Sequence, residues 1–396
     1  MQINTKLSRR TQRMDANVIR EILKVVNQPG MISLAGGIPA PASFPMDHIR
    51  ELTEIVWQKY GTRALQYDAT EGFAPLRAAL VDYLSQQDVQ ISTPEEVIIF
   101  SGSQSILDTV AKILITPGDK IAIESPSYLG AISAFNPYEP DYVALATDSD
   151  GVIPEALEAV LQTEAIKFIY LVPTFQNPTG RTLPLARRKQ IAELLQRYDA
   201  LLVEDDPYSA LRYRGAALPP IHSFAPENVI YNGTFSKILA PGLRIGYCVA
   251  PAEIRRWLVI AKQGADLHAN TLGQALAAEY VTGGYLTAHL PHILSLYGAR
   301  QEAMLQALDR FLPAGFEWGQ PEGGMFMWVE GPADLDSEAL YWETVKRKVA
   351  FVPGKYFHVD GSGESTMRLN FTMSDEATIM QAIEVVAEVA ESLMNN

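Results

Sequence analysis

Short apolar runs recur between about residues 95 and 250, separated by stretches whose apolar positions fall at helical spacing. Val97-Ile98-Ile99-Phe100, Lys120-Ile121-Ala122-Ile123-Glu124, Phe168-Ile169-Tyr170-Leu171-Val172, Leu201-Leu202-Val203, Val229-Ile230-Tyr231-Asn232-Gly233 and Ile245-Gly246-Tyr247-Cys248-Val249 read as strands buried on both faces. Strands alternating with helices predict a mostly parallel sheet covered on each side, an α/β architecture. After Gly283-Gly284 the pattern becomes a long helix through Leu308. Beyond Phe311 it changes to short strands and two helices, the last over Glu376 to Met394, which predicts a second, smaller domain.

Polar clusters stand where these runs end. Asn177-Pro178-Thr179-Gly180 follows one run, Glu204-Asp205-Asp206-Pro207-Tyr208 another, and Ser101-Gly102-Ser103-Gln104 a third. In open α/β sheets a ligand lies outside the carboxyl ends of the strands, so these clusters converge on one crevice. The third cluster also opens a helix with apolar positions at Ile106, Leu107, Val110, Ile113 and Leu114, whose free N–H groups suit a phosphate. The stretch Thr234-Phe235-Ser236-Lys237-Ile238-Leu239-Ala240-Pro241-Gly242-Leu243-Arg244 sets one lysine among hydroxyls and an arginine. A buried lysine beside a cation loses its proton near neutral pH and becomes a nucleophile, and hydroxyls with a guanidinium suit a phosphate.

Composition narrows the partners. A chain of 396 residues exceeds the size at which single cores stop growing, so two domains are expected. A net charge of −14 argues against a nucleic-acid surface, which needs concentrated Lys and Arg. No run approaches the ~18 apolar residues of a membrane span. Met1 to Met14 is polar and basic without the apolar core of a secretory signal, and reads either as a frayed terminus or as an arm on a partner or across the mouth of the site. The single Cys248 excludes an intrachain disulfide framework, which makes a reducing cytoplasm the expected location. His289 and His292 are close in sequence, but Pro291 intervenes and no acidic or cysteine ligand accompanies them, so no metal site is expected. No Gly-x-Gly-x-x-Gly follows a strand, which leaves a nicotinamide site without support.

Taken in order, these motifs resemble the pyridoxal 5′-phosphate (PLP) aminotransferases of fold type I over nearly the whole chain. The wording is most similar to the branch of 2-aminoadipate and kynurenine aminotransferases. Leu34-Ala35-Gly36-Gly37-Ile38-Pro39, Ala64-Leu65-Gln66-Tyr67, Gly323-Gly324-Met325-Phe326-Met327-Trp328 and Met367-Arg368-Leu369-Asn370-Phe371 carry that likeness. The resemblance implies a large domain with a mostly parallel seven-stranded sheet flanked by helices, plus a smaller α+β domain. It divides the chain into residues 1–45, an N-terminal arm and part of the small domain; 46–285, the PLP-binding domain; and 286–396, the C-terminal small domain.

It also implies roles. Lys237 matches the lysine that bonds the cofactor aldehyde and later shuttles the proton, and Asp205 the carboxylate that pairs with the ring nitrogen. Asp206 is adjacent, and Asp205 is chosen because Tyr208 then completes an Asp-x-x-Tyr. Tyr208 and Asn177 match partners of the phenolic oxygen, and Tyr128 the aromatic that stacks on the ring. Ser103, Gln104, Thr234, Ser236 and Arg244 match the phosphate cup, to which Tyr67 contributes from a neighbouring subunit, making the site a property of a homodimer. Arg368 matches the residue that grips the substrate carboxylate, assisted by Asn177, while Gly36 and Gly37 give close backbone approach. Arg20 matches a position that faces the substrate side chain. It also lies opposite the helical stripe of Val18, Ile19, Ile22, Leu23 and Val26, so a solvated arginine stays open. The stretch Phe135-Asn136-Pro137-Tyr138-Glu139-Pro140 departs from the branch's wording.

The expected activity is transfer of an amino group between an L-amino acid of 2-aminoadipate, glutamate, aromatic or aliphatic type and a 2-oxo acid such as 2-oxoglutarate, by a ping-pong cycle through pyridoxamine phosphate. Two alternatives share the motifs. One is a PLP-dependent racemase, lyase or C–C bond-forming enzyme; the other is a non-catalytic regulatory domain, against which the net charge counts.

Overall fold

The computed structural model describes residues 6–14 and 28–395. Its central sheet has seven strands: β1 (Val97–Phe100), β2 (Lys120–Glu124), β3 (Asp141–Leu145), β4 (Ile166–Leu171), β5 (Leu202–Asp206), β6 (Val229–Thr234) and β7 (Gly246–Val249). Across the sheet they run β1-β7-β6-β5-β4-β2-β3; β7 is antiparallel to both neighbours and the remaining pairs are parallel. Alternate residues enter different cores, as the two-residue period of a strand requires. Ile121, Ile123, Phe168 and Tyr170 pack on one face, and Ala122, Ile169 and Leu171 on the other.

β5 continues through Asp206, beyond the apolar run that announced it, because Glu204, Asp205 and Asp206 keep their ladder to β6. At the carboxyl end of a sheet, a strand can carry carboxylates where a crevice or a loop supplies donors. Helix α1 (Ser103–Leu114) begins directly after β1 and buries Ile106, Leu107 and Val110.

A second sheet contains β8 (Glu317–Trp318), β9 (Phe326–Glu330), β10 (Val352–Pro353) and β11 (Thr366–Asn370), ordered β8-β9-β11-β10 with all pairs antiparallel. Its core takes in Leu34 and Ala35, because Ile32–Ser33 pairs in parallel with Val349–Ala350. Helix α2 (Tyr285–Phe311) serves both cores: Leu286, Ile293 and Tyr297 pack on the large sheet's side, and Met304, Leu305 and Leu308 on the small one's. Helix α3 (Glu376–Met394) covers the small sheet with Ile379, Ile383 and Val386.

The described part of the N-terminal arm rests on its own chain. Arg9 meets the Glu139 carboxylate at 3.0 Å, and Arg10 lies 5.7 Å from the ring centroid of Tyr138. The proline-rich stretch therefore seats this arm. His289 and His292 bond the carbonyls of Ser43 and Ala42, so both rings hold a loop, and among the described residues no group of side chains is set to hold a metal ion. Among them, too, no helix is long and apolar enough to cross a membrane.

Candidate active site

The carboxyl ends of β4, β5 and β6 and the start of α1 bring most of the expected residues together. Lys237 follows β6 by three residues and donates from Nζ to the Gly37 carbonyl at 2.8 Å. Burial, reinforced by the positive charges of Arg368 and Arg244, lowers its amine to about 8. Arg368, on the inner strand β11, is buried; Nη1 donates to Asn177 Oδ1 at 2.8 Å and Nη2 to the Ala35 carbonyl at 2.6 Å. Its guanidinium lies between two rings, 4.3 Å from the centroid of Phe326 and 4.9 Å from that of Phe357. Arg368 Nε is buried with no protein partner, a donor aimed at nothing the chain itself provides.

Asn177 links this arginine to the ring-facing groups, since its Nδ2 donates to the Tyr208 hydroxyl at 3.2 Å. Tyr208 is buried and meets Phe326 edge to face at 5.9 Å. Burial raises its hydroxyl, as it raises that of Tyr128, which is pushed up to about 12. Both tyrosines feel the charges of Asp205 and Arg368, and Asn177 bridges Arg368 to Tyr208. Asp205 is raised to about 7 by burial, against which a hydrogen bond from Tyr170 pulls downward. Its neighbour Asp206 turns to the opposite face, where it accepts from Tyr231 Oη at 2.8 Å and Ser209 N at 3.1 Å.

A polar cup lies at the start of α1. Gly102 has φ +85° and a Cβ there would fall 2.2 Å from Arg244 Nη2, so the guanidinium occupies the space a side chain would fill. Arg244 is itself left-handed at φ 55°, and Nη2 donates to the Ser101 carbonyl at 3.3 Å. Ser103 supplies the first turn of the helix, whose N–H groups lack intrahelical acceptors. Gln104 Nε2 donates to the Gly130 carbonyl at 2.6 Å, tying the cup to the loop that carries Tyr128. Thr234 is buried and shares its hydroxyl with Ser236 Oγ at 2.9 Å and the Ile245 carbonyl at 3.2 Å, so it shapes the turn that presents Ser236.

One expected residue stands apart. Tyr67 is 77% exposed on an outer surface, its ring edge against His268 at 5.7 Å. Arg20 lies outside the described residues. Conversely, Tyr170 and Asn232 around Asp205 carry no signal of their own, because an aromatic and an asparagine inside strand-like runs read as packing, and Phe357, in a short helical turn, reads the same way.

The donors present fit PLP. A helix start, hydroxyls and an arginine suit its phosphate; a buried carboxylate suits its ring nitrogen; an amine poised near neutrality suits its aldehyde.

The comparisons with known proteins agree. A family model described as aminotransferase class I and II matches residues 31–386. Aromatic-amino-acid aminotransferase 1 of Thermococcus litoralis is 45% identical over 388 residues, covering 96% of this chain and 93% of that protein. The crystal structure of Pyrococcus horikoshii kynurenine aminotransferase in complex with PMP superposes with a TM-score of 0.95 at 44% identity, covering 99% of this chain and 98% of that one. LysN, the alpha-aminoadipate aminotransferase of Thermus thermophilus, solved with N-(5′-phosphopyridoxyl)-L-leucine, gives 0.93 at 38% identity with both chains fully covered.

Proposed function

The chain belongs to aminotransferase class I and II, the PLP-dependent enzymes of fold type I, and on that premise we propose that the crevice between the two sheets exchanges an amino group between an L-amino acid and 2-oxoglutarate or a similar 2-oxo acid. The donor side chain is of aromatic or 2-aminoadipate type, in keeping with the activities of the relatives and with Phe326 beside Arg368. The observation that carries this reading is that one short segment joins both groups: Lys237 Nζ donates to the Gly37 carbonyl at 2.8 Å and Arg368 to the Ala35 carbonyl at 2.6 Å, with the Arg368 Nε buried and unpartnered beside them.

Bound PLP supplies an aldehyde for the amino nitrogen and a protonated ring that draws electrons away from the substrate Cα. Ser103, Gln104, Ser236 and Arg244 would hold its phosphate, Tyr128 would lie against the ring, and Asp205 would pair with the ring nitrogen. Asn177 and Tyr208, already bonded to each other, would donate to its phenolic oxygen. Arg368 receives the substrate α-carboxylate through Nε and the outward Nη protons, those that Asn177 and Ala35 leave free. With the carboxylate pinned, the Cα–H bond is the one exposed to a base. Lys237 Nζ, uncharged once its proton is lost, takes the Cα proton, and its short tether keeps that proton within the crevice.

The same reading makes the enzyme a homodimer. Leu65 at 70% exposure, Tyr67 at 77% and Leu267 at 43% are large apolar side chains in the open, and Tyr67 then reaches the partner's phosphate cup. It also places the enzyme in the cytoplasm, where the buried Cys248 thiol stays reduced. The test is the visible spectrum of the PLP-loaded enzyme with amino acids added singly. Bleaching by a donor, reversed by 2-oxoglutarate, supports the assignment and ranks the donors. Consumption or racemisation of the amino acid without an oxo acid acceptor would overturn it.

A further inference from the structure

Asp205 is gripped from both neighbouring strands. On β4, Tyr170 donates its hydroxyl to Asp205 Oδ2 at 2.7 Å; on β6, Asn232 donates Nδ2 to Oδ1 at 2.9 Å. The register explains the grip. Asn232 stands directly opposite Asp205 and Tyr170 opposite Val203, so all three side chains share one face of the sheet. Tyr170 and Asn232 have no exposed surface, and Asp205 has 2%.

The Tyr170 ring has an ordinary packing reason to be there, with Phe135 edge-on at 5.6 Å. Its hydroxyl does not. Phe168, two residues earlier on the same face, meets the same Phe135 at 5.5 Å without one. A carboxylate cut off from water keeps its charge only when donors favour the ionised form, and Tyr170 Oη and Asn232 Nδ2 are such donors.

We propose that Tyr170 is a positioning residue for the amino-transfer reaction: its hydroxyl, acting with Asn232, keeps Asp205 ionised and in one orientation, so that Asp205 holds the proton on the cofactor's ring nitrogen. The proposal rests on the reading that Asp205 pairs with that nitrogen.

The experiment uses holoenzyme loaded with PLP carrying 15N in its ring, so that the nitrogen resonance reports protonation directly. In Tyr170→Phe the resonance moves toward the unprotonated position, and kcat falls roughly tenfold while KM stays within about twofold. Asn232→Ala moves the same resonance in the same direction, and it carries the test alone if Tyr170→Phe does not fold. A resonance that stays at the wild-type position in both variants overturns the proposal. So does a loss of thermal stability with no movement of the resonance, which marks a merely structural hydroxyl. Asp205→Ala separates the two layers of the argument. If it leaves the nitrogen protonated, the reading of Asp205 itself fails. If it shifts the nitrogen while Tyr170→Phe and Asn232→Ala do not, only the role given to Tyr170 fails.

Discussion

Lys237 Nζ donates to the carbonyl of Gly37 at 2.8 Å, joining positions 200 residues apart in the chain. A lysine tethered this way is held in the crevice before any cofactor arrives. Lys237→Ala is expected to abolish covalent retention of PLP: after borohydride reduction, the wild-type chain carries the added mass on the peptide containing Lys237 and the variant carries none. Label on another lysine would move the attachment point elsewhere.

The acidity of that amine sets a pH dependence. With its value lowered to about 8, about half of the Lys237 amines are uncharged at pH 8, where an ordinary lysine at 10.5 is almost wholly protonated. The uncharged form is the nucleophile, so the rate of PLP uptake by apoprotein rises about tenfold per pH unit below 8 and levels off above it. Stopped-flow absorbance gives the profile, and a rate still climbing at pH 10 would contradict it.

Arg368 lies in a sandwich of Phe326 and Phe357, with two of its nitrogens fixed by Asn177 and Ala35. A planar fork so held is not replaced by an ammonium on a flexible stem. Arg368→Lys and Arg368→Ala each reduce kcat/KM for donor and acceptor alike, on the order of a hundredfold. Steady-state kinetics with both co-substrates decides, and an effect confined to one of them would remove the shared carboxylate role.

Gly130 lies under the Tyr128 ring, and a Cβ at this position would fall 2.3 Å from Tyr128 Cζ. Gly130→Ala therefore displaces the Tyr128 ring, which in the proposed site lies against the cofactor. PLP affinity falls roughly tenfold, in line with overpacking of a filled site. Fluorescence titration of apoprotein with PLP measures it.

Asp205 brings a stability prediction of opposite sense. Its value in the fold, about 7, lies above the carboxylate's ordinary 3.8, so the folded chain holds this proton more tightly than the unfolded chain does. The resulting stability is present below about pH 4 and is lost as pH rises through 7. At pH 8 the apoprotein thus carries an ionised buried group. Asp205→Asn removes that charge, and Asn232 can turn its amide to accept from the new side chain through Oδ1, which has no partner now. The variant apoprotein melts a few degrees higher at pH 8, and the gap narrows toward pH 5. Calorimetry at the two pH values checks this, while PLP binding by the same variant weakens.

Much of this architecture is legible in the residues themselves. Val97–Phe100 is a strand on sight because four consecutive apolar residues have no other use between a turn and a helix cap. The choice between Asp205 and Asp206 is open in one dimension. In three it becomes concrete, because adjacent residues of β5 point to opposite faces, one toward Tyr170 and Asn232, the other toward Tyr231. Tyr170, Asn232 and Phe357 could not be singled out beforehand. Their partners depend on the register of three strands and on how one sheet meets the other, and no local pattern encodes either. Tyr67 meets only the His268 ring at the surface of its own chain, and its proposed role needs a second chain; Arg20 lies outside the described residues.

The guanidinium of Arg368 has a consequence for how such an enzyme changes over time. It bonds the N-terminal segment through Ala35, the loop after β4 through Asn177, and its own small-domain strand carries it, so one side chain pins three distant stretches of chain. If Arg368 also grips the substrate as proposed, a residue that does both cannot drift. On that reading, new substrate preferences arise among side chains freer to change, such as the exposed Ile38 next to Gly37, while the proposed α-carboxylate grip is the inherited constant around which specificities diversify.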